Sequence, residues 1–344
     1  MKPHGVGRSP TVSVVIPTFN SERYVGSALA AVFAQKFSDH EVIVVDDGSQ
    51  HPELLKEALA PYLNRIIFLS SDHRGPGGAR NLAIAKAKGE FIAFLDSDDI
   101  WTPYHLADRL RALRQDPSLD LVYADAMMFG DSPLAGKTFM HLTPSNGHVT
   151  LEALLGAECT VITSCVVVRK ESLVRVGCFD ERLRLSEDFD LWVRLAYSGC
   201  QLGYQRQVSA YHRIHDRSLT NDQVASYENE RDVYLKFLST LKLAAPLQKV
   251  INDQVARCKA ELALENGKRQ LLASEYSQAA KELDRAVDHY QSRKLYIARV
   301  GLKVAPSLLQ LLYKSAQLMY KVRGRTRSKN ASAIAKTASS YDVT

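Results

Sequence analysis

The sequence predicts an α/β fold, a mostly parallel sheet covered by helices, followed by an all-helical extension. Three observations predict it. Through the first 225 residues, short β-branched runs alternate with stretches of helical spacing, the pattern of strands joined by crossover helices. Several of these runs stop abruptly in acidic or polar residues, which marks a common edge of the sheet. From about Ser226 the β-branched runs cease and helical spacing continues alone.

Residues 12–16 form a continuous apolar run closed by Pro17, as expected of a strand buried on both faces. After the polar Asn20, Ser21 and Glu22, the residues Leu29, Val32 and Phe33 fall at helical spacing. A second buried strand, 42–45, ends at Asp46-Asp47-Gly48-Ser49, and 66–69 is a third. Gly75-Pro76-Gly77-Gly78 reads as a loop before a helix carrying Ala79, Leu82, Ala83 and Ala85. The fourth strand, 91–95, ends at Asp96-Ser97-Asp98-Asp99. A helix is expected between Trp101 and Arg114, a strand at 121–124, and a loop of irregular path over 131–150, which is rich in Gly, Pro, Ser and Asn. A strand at 161–168, an amphipathic helix at 187–197 and a polar, partly extended stretch at 204–215 complete this half.

Beyond it, Tyr227, Arg231, Tyr234, Leu238 and Leu241 follow helical spacing. Gly267, Tyr276, Ala279, Leu283 and Ala286 match one tetratricopeptide unit; a single unit cannot bury its own face, so a helical hairpin is expected. The expected divisions are a catalytic domain at 10–225, a helical extension at 226–323 and a basic tail at 324–344. The tail turns Ser/Ala-rich and is expected to lack fixed structure.

Composition excludes several classes. At 46% hydrophobic and 24% charged, the 344-residue chain is ordinary for a globular protein. The five cysteines contain no C-x-x-C pair and leave one over, which fits reduced cytosolic thiols and not a disulfide framework or a zinc site. No stretch of 18 or more uncharged apolar residues occurs and residues 1–10 lack a signal-peptide core, so a cytoplasmic protein, peripheral at most on the inner membrane face, is expected. Charge is split: residues 1–230 hold 23 Lys/Arg against 29 Asp/Glu, whereas residues 231–344 hold 21 against 9. That division suggests chemistry in the front half and surface attachment in the back. Leu308, Leu311, Leu312, Ser315 and Met319 share one helical face near Lys314, Lys321, Arg323, Arg325 and Arg327. Two readings fit: an interfacial helix drawn to anionic lipid, or a face packed on its own domain. No recognised module makes nucleic acid an expected partner.

The acidic strand ends carry the chemistry. If the chain stays extended, alternation aims Asp96 and Asp98 to one side, a hard-oxygen site for Mg²⁺ or Mn²⁺ that leaves positions for substrate phosphates. The competing reading is a turn with capping aspartates. Asp46 and Asp47 are acceptors suited to a base N–H or to ribose hydroxyls, and Gly48 permits the sharp turn after them. In Ser186-Glu187-Asp188-Phe189-Asp190, compensation of the helix dipole accounts for Asp190, while Asp188 is placed to take a proton from an acceptor hydroxyl. Arg213 suits a phosphate and His215 a metal or diphosphate, whereas His212 reads as surface. Neither a dinucleotide-binding glycine fingerprint, a Walker A loop nor a hydrolase triad signature is present.

Taken together, 12–20 (VSVVIPTFN), 45–49 (VDDGS), 78–81 (GARN), 96–99 (DSDD) and Glu187-Asp188 resemble family 2 glycosyltransferases of the GT-A fold, in order and spacing over about residues 10–220. The resemblance implies inversion at an anomeric carbon by direct displacement. It implies a UDP-sugar or other nucleotide-diphosphate sugar as donor and a glycan or lipid-linked acceptor, in cell-surface polysaccharide, lipopolysaccharide or other glycoconjugate synthesis. Asp47 with Thr18 would hold the base, Asp46 and Asp96 would lie near base and ribose, and Arg80 near the nucleotide or the helix face. Asp98 would bind Mg²⁺ or Mn²⁺, with His215 as a further ligand, and Asp188 would be the base. Glu187 and Arg213 would contact acceptor or phosphate. The Q-x-x-R-W motif of processive relatives is absent, so single-sugar addition is expected. The alternatives are a sugar-nucleotide binding protein without catalysis and a membrane-associated scaffold.

Overall fold

The computed structural model describes residues 9–130, 132–143, 145, 149–216 and 222–318. Contacts divide the chain into two units, one of residues 1–128 and 136–213, the other of 129–135 and 214–344.

The first unit is built on eight strands: β1 (Val12–Thr18), β2 (His40–Asp46), β3 (Ile67–Ser70), β4 (Phe91–Phe94), β5 (Ile100–Trp101), β6 (Leu119–Gly130), β7 (Val167–Arg169) and β8 (Gln201–Ile214). Their order is β3-β2-β1-β4-β7-β6-β8-β5. β3, β2, β1 and β4 run parallel, while β7 is antiparallel to β4 and to β6, and β5 to β8. The sheet is therefore mixed, its parallel half holding the strands whose sequences are continuously apolar. Val12, Val14, Val15 and Ile16 of β1 are wholly buried because helices cover both faces. The helix Val25–Phe33 turns Val25, Ala28, Leu29 and Val32 inward, a spacing of three, four and seven residues. These side chains join Val12, Val44, Leu95, Trp101 and Leu110 in one core.

Register places the site. Thr18 lies beside Asp46, Asp46 beside Ser70, and Val15 beside Phe94, so β1–β4 all end at the same edge. The helices Gly75–Lys86 and Glu187–Tyr197 both begin with residues that reach this edge, as the next section describes.

Several expectations shift. The apolar run at 161–168 is buried, but a 3₁₀ turn at Thr163–Cys165 interrupts it and only Val167–Arg169 pairs as a strand. Apolarity reports burial there, not ladder bonding. The polar stretch near the end of this unit is a full strand, β8, and the helix expected from Trp101 starts at His105 after the two-residue β5. Within the expected loop at 131–150, Phe139–Leu142 is a single helical turn; residues 131, 144 and 146–148 lie outside the described residues.

In the second unit Asp222 caps the helix Gln223–Thr240 through the amides of Val224 and Ala225, 3.1 Å each. The hairpin expected from the tetratricopeptide-like spacing is present as Ala245–Leu272 and Tyr276–Tyr290, followed by Arg293–Val304 and helical residues 306–318. Ala279, Leu283, Val287, Leu271 and Leu302 form its core. Met319, Lys321 and the tail at 324–344 lie outside the described residues. All five cysteines are free thiols, four of them buried.

Candidate active site

The loop after β2 is tied in two directions. Asp46 accepts the Ser49 amide at 3.0 Å, a turn that Gly48 allows with φ of +81°. Asn20 bridges to the same loop, its amide donating to the Ser49 hydroxyl at 3.0 Å and its side-chain oxygen accepting the Gln50 amide at 2.8 Å. Asp47 has a second occupation that the sequence did not disclose. Its carboxylate accepts the backbone N–H groups of Arg74 and Gly75, both at 2.8 Å, and the Ser71 hydroxyl. It thereby satisfies orphan donors at the start of Gly75–Lys86. Beside it, Thr18 is 1% exposed and its hydroxyl has no hydrogen-bond partner among the described residues. An orphaned buried hydroxyl at a sheet edge is what a ligand-binding position leaves behind when the chain alone is considered.

The four residues after β4 do not stay extended. The Asp99 amide donates to the Asp96 carbonyl at 3.0 Å, closing a turn, so strand alternation does not govern where Asp96 and Asp98 point. The turn sorts the carboxylates by environment. Asp99 is buried and consumed: one oxygen accepts the Arg213 amide at 2.9 Å, the other meets His212 Nδ1 at 3.1 Å. Asp96 binds Arg80, and Asp98 is half-buried while its carbonyl accepts Arg213 Nε at 2.8 Å. The Arg213 guanidinium also lies 4.8 Å from the Tyr24 ring centroid.

His212, its side chain 32% exposed, is thus also the partner of Asp99. Nearby Asp99 raises its pKa to about 9, against the opposing pull of burial, and the imidazole in turn holds the Asp99 carboxyl below its usual value although burial pushes it up. Because the folded pKa exceeds the unfolded value of 6.5, the pair's contribution is complete below about pH 6.5 and is lost as pH rises through about 9. His212→Gln is therefore expected to flatten the decline of the thermal midpoint between those pH values; an unchanged decline would count against the pairing.

Arg80 joins the acidic turn to the third motif. It is 4% exposed, with Nη2 2.6 Å from Asp96 and Nη1 2.7 Å from Glu187, and it lies 5.4 Å from the Phe179 ring centroid. Burial alone would lower its pKa, but Asp96 and Glu187 outweigh that and keep the guanidinium charged. Three carboxylates, Asp96, Glu187 and Asp188, share this one cation. Burial pushes the Glu187 carboxyl up to about 7, with Asp188 adding to the rise and Arg80 opposing it.

Asp188 follows on the first turn of Glu187–Tyr197, where Ser186 takes the left-handed φ of +60° to launch the helix. One carboxylate oxygen accepts the Thr163 hydroxyl at 2.8 Å, the other the amide of Phe189 at 2.7 Å. Asp190 does more than face the helix dipole: fully buried, it binds Arg194 Nε at 2.8 Å, and Arg194 holds the Val176 and Cys178 carbonyls.

The structure therefore links Arg80, Asp96 and Glu187 by contact, with Asp188 next to Glu187 on the helix and in electrostatic range of Arg80; it places Asp98 on the adjoining turn against Arg213 of β8, and sets Thr18, Asp46 and Asp47 on the neighbouring strand ends. His215 belongs to the second unit, and the geometry of the first has no bearing on it. Thr163, Ser164, His212 and Asp99 are the participants that sequence reasoning passed over. Ser164 fixes the turn from inside, accepting the Asp96 amide at 3.1 Å and the Trp101 indole N–H at its carbonyl at 2.6 Å. Asp99 stood inside a quoted motif, but the signal for Thr163 and Ser164 was hidden within an apolar run. Among the described residues, no three His, Cys, Asp or Glu side chains converge as a metal cage. A shallow groove of about 600 Å³ along Gly89, Glu90, Arg169 and Lys170 lies at the start of β4 and holds none of the candidate residues.

Residues 13–177, which carry β2 and β4 with their acidic ends, match Glycosyl transferase family 2. That segment is a glycosyl transferase family 2 domain. An uncharacterized glycosyltransferase of Rickettsia prowazekii (strain Madrid E) is 28% identical to the transferase over 240 residues, covering 68% of this chain and 73% of that one. The UDP-Glc:alpha-D-GlcNAc-diphosphoundecaprenol beta-1,3-glucosyltransferase of Escherichia coli is 26% identical over 232 residues, covering 66% and 86%. A crystal structure of S. aureus TarS in complex with UDP-GlcNAc superposes with a TM-score of 0.59 at 22% identity, over 93% of this chain and 90% of that one. The transferase has the GT-A fold with a helical C-terminal region.

Proposed function

We propose that the transferase moves a sugar from a UDP-sugar to a hydroxyl of a glycan or lipid-linked acceptor on the cytoplasmic side of a membrane, with inversion at the anomeric carbon. The observation that carries the reading is the Arg80 bridge, which fastens the acidic turn after β4 to the helix start bearing Asp188. It gives a donor-side cluster and a base one rigid frame. A UDP-sugar is supported by the E. coli relative, whose name states UDP-Glc as donor, and by the bound UDP-GlcNAc of the TarS neighbour. The diphosphoundecaprenol in the relative's name supports a lipid-linked acceptor, in glycoconjugate or polysaccharide assembly.

In this reading Thr18 supplies its unpartnered hydroxyl to the base, with Asp46 and Asp47 around base and ribose. Asp98 would hold Mg²⁺ or Mn²⁺. A half-buried single carboxylate on a turn fits these ions, which are commonly bound through one or two carboxylates plus substrate phosphates and water, and not through a protein-only cage. When bound, the ion neutralises charge on the diphosphate. His215 is the second candidate ligand, by imidazole chemistry alone. Arg213, with Nε on the Asp98 carbonyl, is placed for phosphate contact, and Glu187, buried against Arg80, holds that cation and not the acceptor. Asp188 accepts the proton of the acceptor hydroxyl as its oxygen bonds to the anomeric carbon. The bond from that carbon to the phosphate oxygen breaks on the opposite face, and the electron pair leaves with UDP.

Thermal midpoints with a panel of nucleotide-sugars, with and without Mn²⁺, test the reading. A ligand at 100 times its Kd adds about 2.7 kcal/mol to the folded state. UDP-Glc or UDP-GlcNAc is expected to raise the midpoint, Mn²⁺ to enlarge the rise, and Asp98→Ala to remove the Mn²⁺ increment without unfolding the protein. Stabilisation by no nucleotide-sugar, or an undiminished increment in Asp98→Ala, would overturn it.

A further inference from the structure

We propose that the last two described helices, residues 293–318, are a docking surface for an anionic lipid bilayer. The claim goes beyond the transfer reaction and does not depend on it. The two helices bury one face and leave another apolar face in water. On the inner side Leu295, Ala298 and Leu302 of Arg293–Val304, with Leu309 and Tyr313 of the next helix, pack on Leu271, Leu283 and their neighbours. Gly301 faces the Leu309 side chain there, where a Cβ would lie at an ordinary contact distance of 3.7 Å.

The outer side is apolar as well. Ile297, Val300 and Val304 recur at intervals of three and four residues, and Val304 is 78% exposed. Leu308, Leu311, Leu312 and Leu318 continue the exposure into the second helix, at 55–65% each. Single exposed leucines are commonplace, but seven large aliphatic side chains exposed over 22 residues are not. Helices apolar on both faces require a second apolar partner besides their own core.

Charge identifies that partner. No Asp or Glu occurs between Asp288 and Asp342, whereas Arg293, Lys294, Lys303 and Lys314 lie on the helices and Lys321, Arg323, Arg325 and Arg327 follow in sequence. A second copy of this face would bring the same positive charge against itself, because a two-fold interface pairs each patch with its own image. An anionic bilayer meets both requirements, taking the leucines at the acyl boundary and the lysines and arginines at the headgroups. No described helix is long and apolar enough to cross a membrane, so the helices would lie in the interface plane.

Co-sedimentation of the full chain with vesicles tests the proposal. Binding is expected to phosphatidylglycerol-containing vesicles and to be weak on phosphatidylcholine alone, since each basic residue near an anionic surface multiplies partition about fivefold. Raising NaCl to about 0.5 M should weaken it at least tenfold. The double variant Leu311→Ser, Leu312→Ser should lower partition about 100-fold, while its thermal midpoint and its stabilisation by UDP-sugar stay those of the parent. Absence of vesicle binding by the parent chain, equal binding to both lipids, undiminished binding by the double variant, or a dimer that the variant dissociates would each overturn the proposal. Failure of the donor to stabilise the chain would instead strike the transfer reading and leave vesicle binding to stand.

Discussion

Asp188→Asn is expected to lower turnover by about 10²–10⁴-fold while the stabilisation given by UDP-sugar is retained. The substitution removes one capability and little else. An amide cannot take the proton of an acceptor hydroxyl, yet its oxygen can still accept the Thr163 hydroxyl that now reaches Asp188 at 2.8 Å. The helix start is equally undisturbed, because Asp190 and Arg194 hold it from the buried side. Loss should therefore fall on kcat, with donor binding by thermal shift unchanged. Turnover at the parental rate would remove Asp188 from the role of base.

Arg80→Ala is expected to produce the largest loss of stability, about 3–5 kcal/mol, because it strands two carboxylates that now share a buried guanidinium. Chemical denaturation with parent and variant side by side measures it. The deficit has a pH signature. Without the cation the Glu187 carboxyl, already at about 7, rises further above its unfolded value of 4.5. A carboxyl whose folded pKa is raised favours the folded state when protonated and costs stability as pH climbs through that pKa. The unfolded chains titrate alike, so the Glu187 part of the deficit should grow as pH rises above about 7 and level off below it. Arg80→Lys should recover part of the stability but not all, since an ammonium cannot span both carboxylates as the planar fork does. A variant as stable as the parent at neutral pH would show that the bridge contributes nothing.

The parallel half of the fold was legible because its strands are buried on both faces, which writes continuous apolar runs into the sequence and ends them sharply at Asp46 and Asp96. The antiparallel half was less so. β8 carries polar residues along its length, is half-buried over most of it without regular alternation, and reads as strand only once β5 and the sheet around it exist. The same limit applied to the site. Asp98 and Asp188 stood in motifs, and so did Arg80, but its function as a bridge depends on Glu187, 107 positions away, a pairing no local pattern encodes. His212 was read as surface for a similar reason: its partner Asp99 is 113 residues distant. Asp47 was visible as an acceptor, but its grip on the amides of Arg74 and Gly75 was not, because backbone donors leave no mark in composition.

The clasp of β8 on the acidic turn also orders events during synthesis. Asp99 acquires His212 and the Arg213 amide only after almost two thirds of the chain has been made, so a ribosome-bound product ending before residue 201 carries β1 to β4 with a buried-type carboxylate exposed and its turn unclamped. Contacts this far apart in sequence form late and slow the approach to the native state. Closure of the acidic turn is thereby deferred until β8 has joined the sheet.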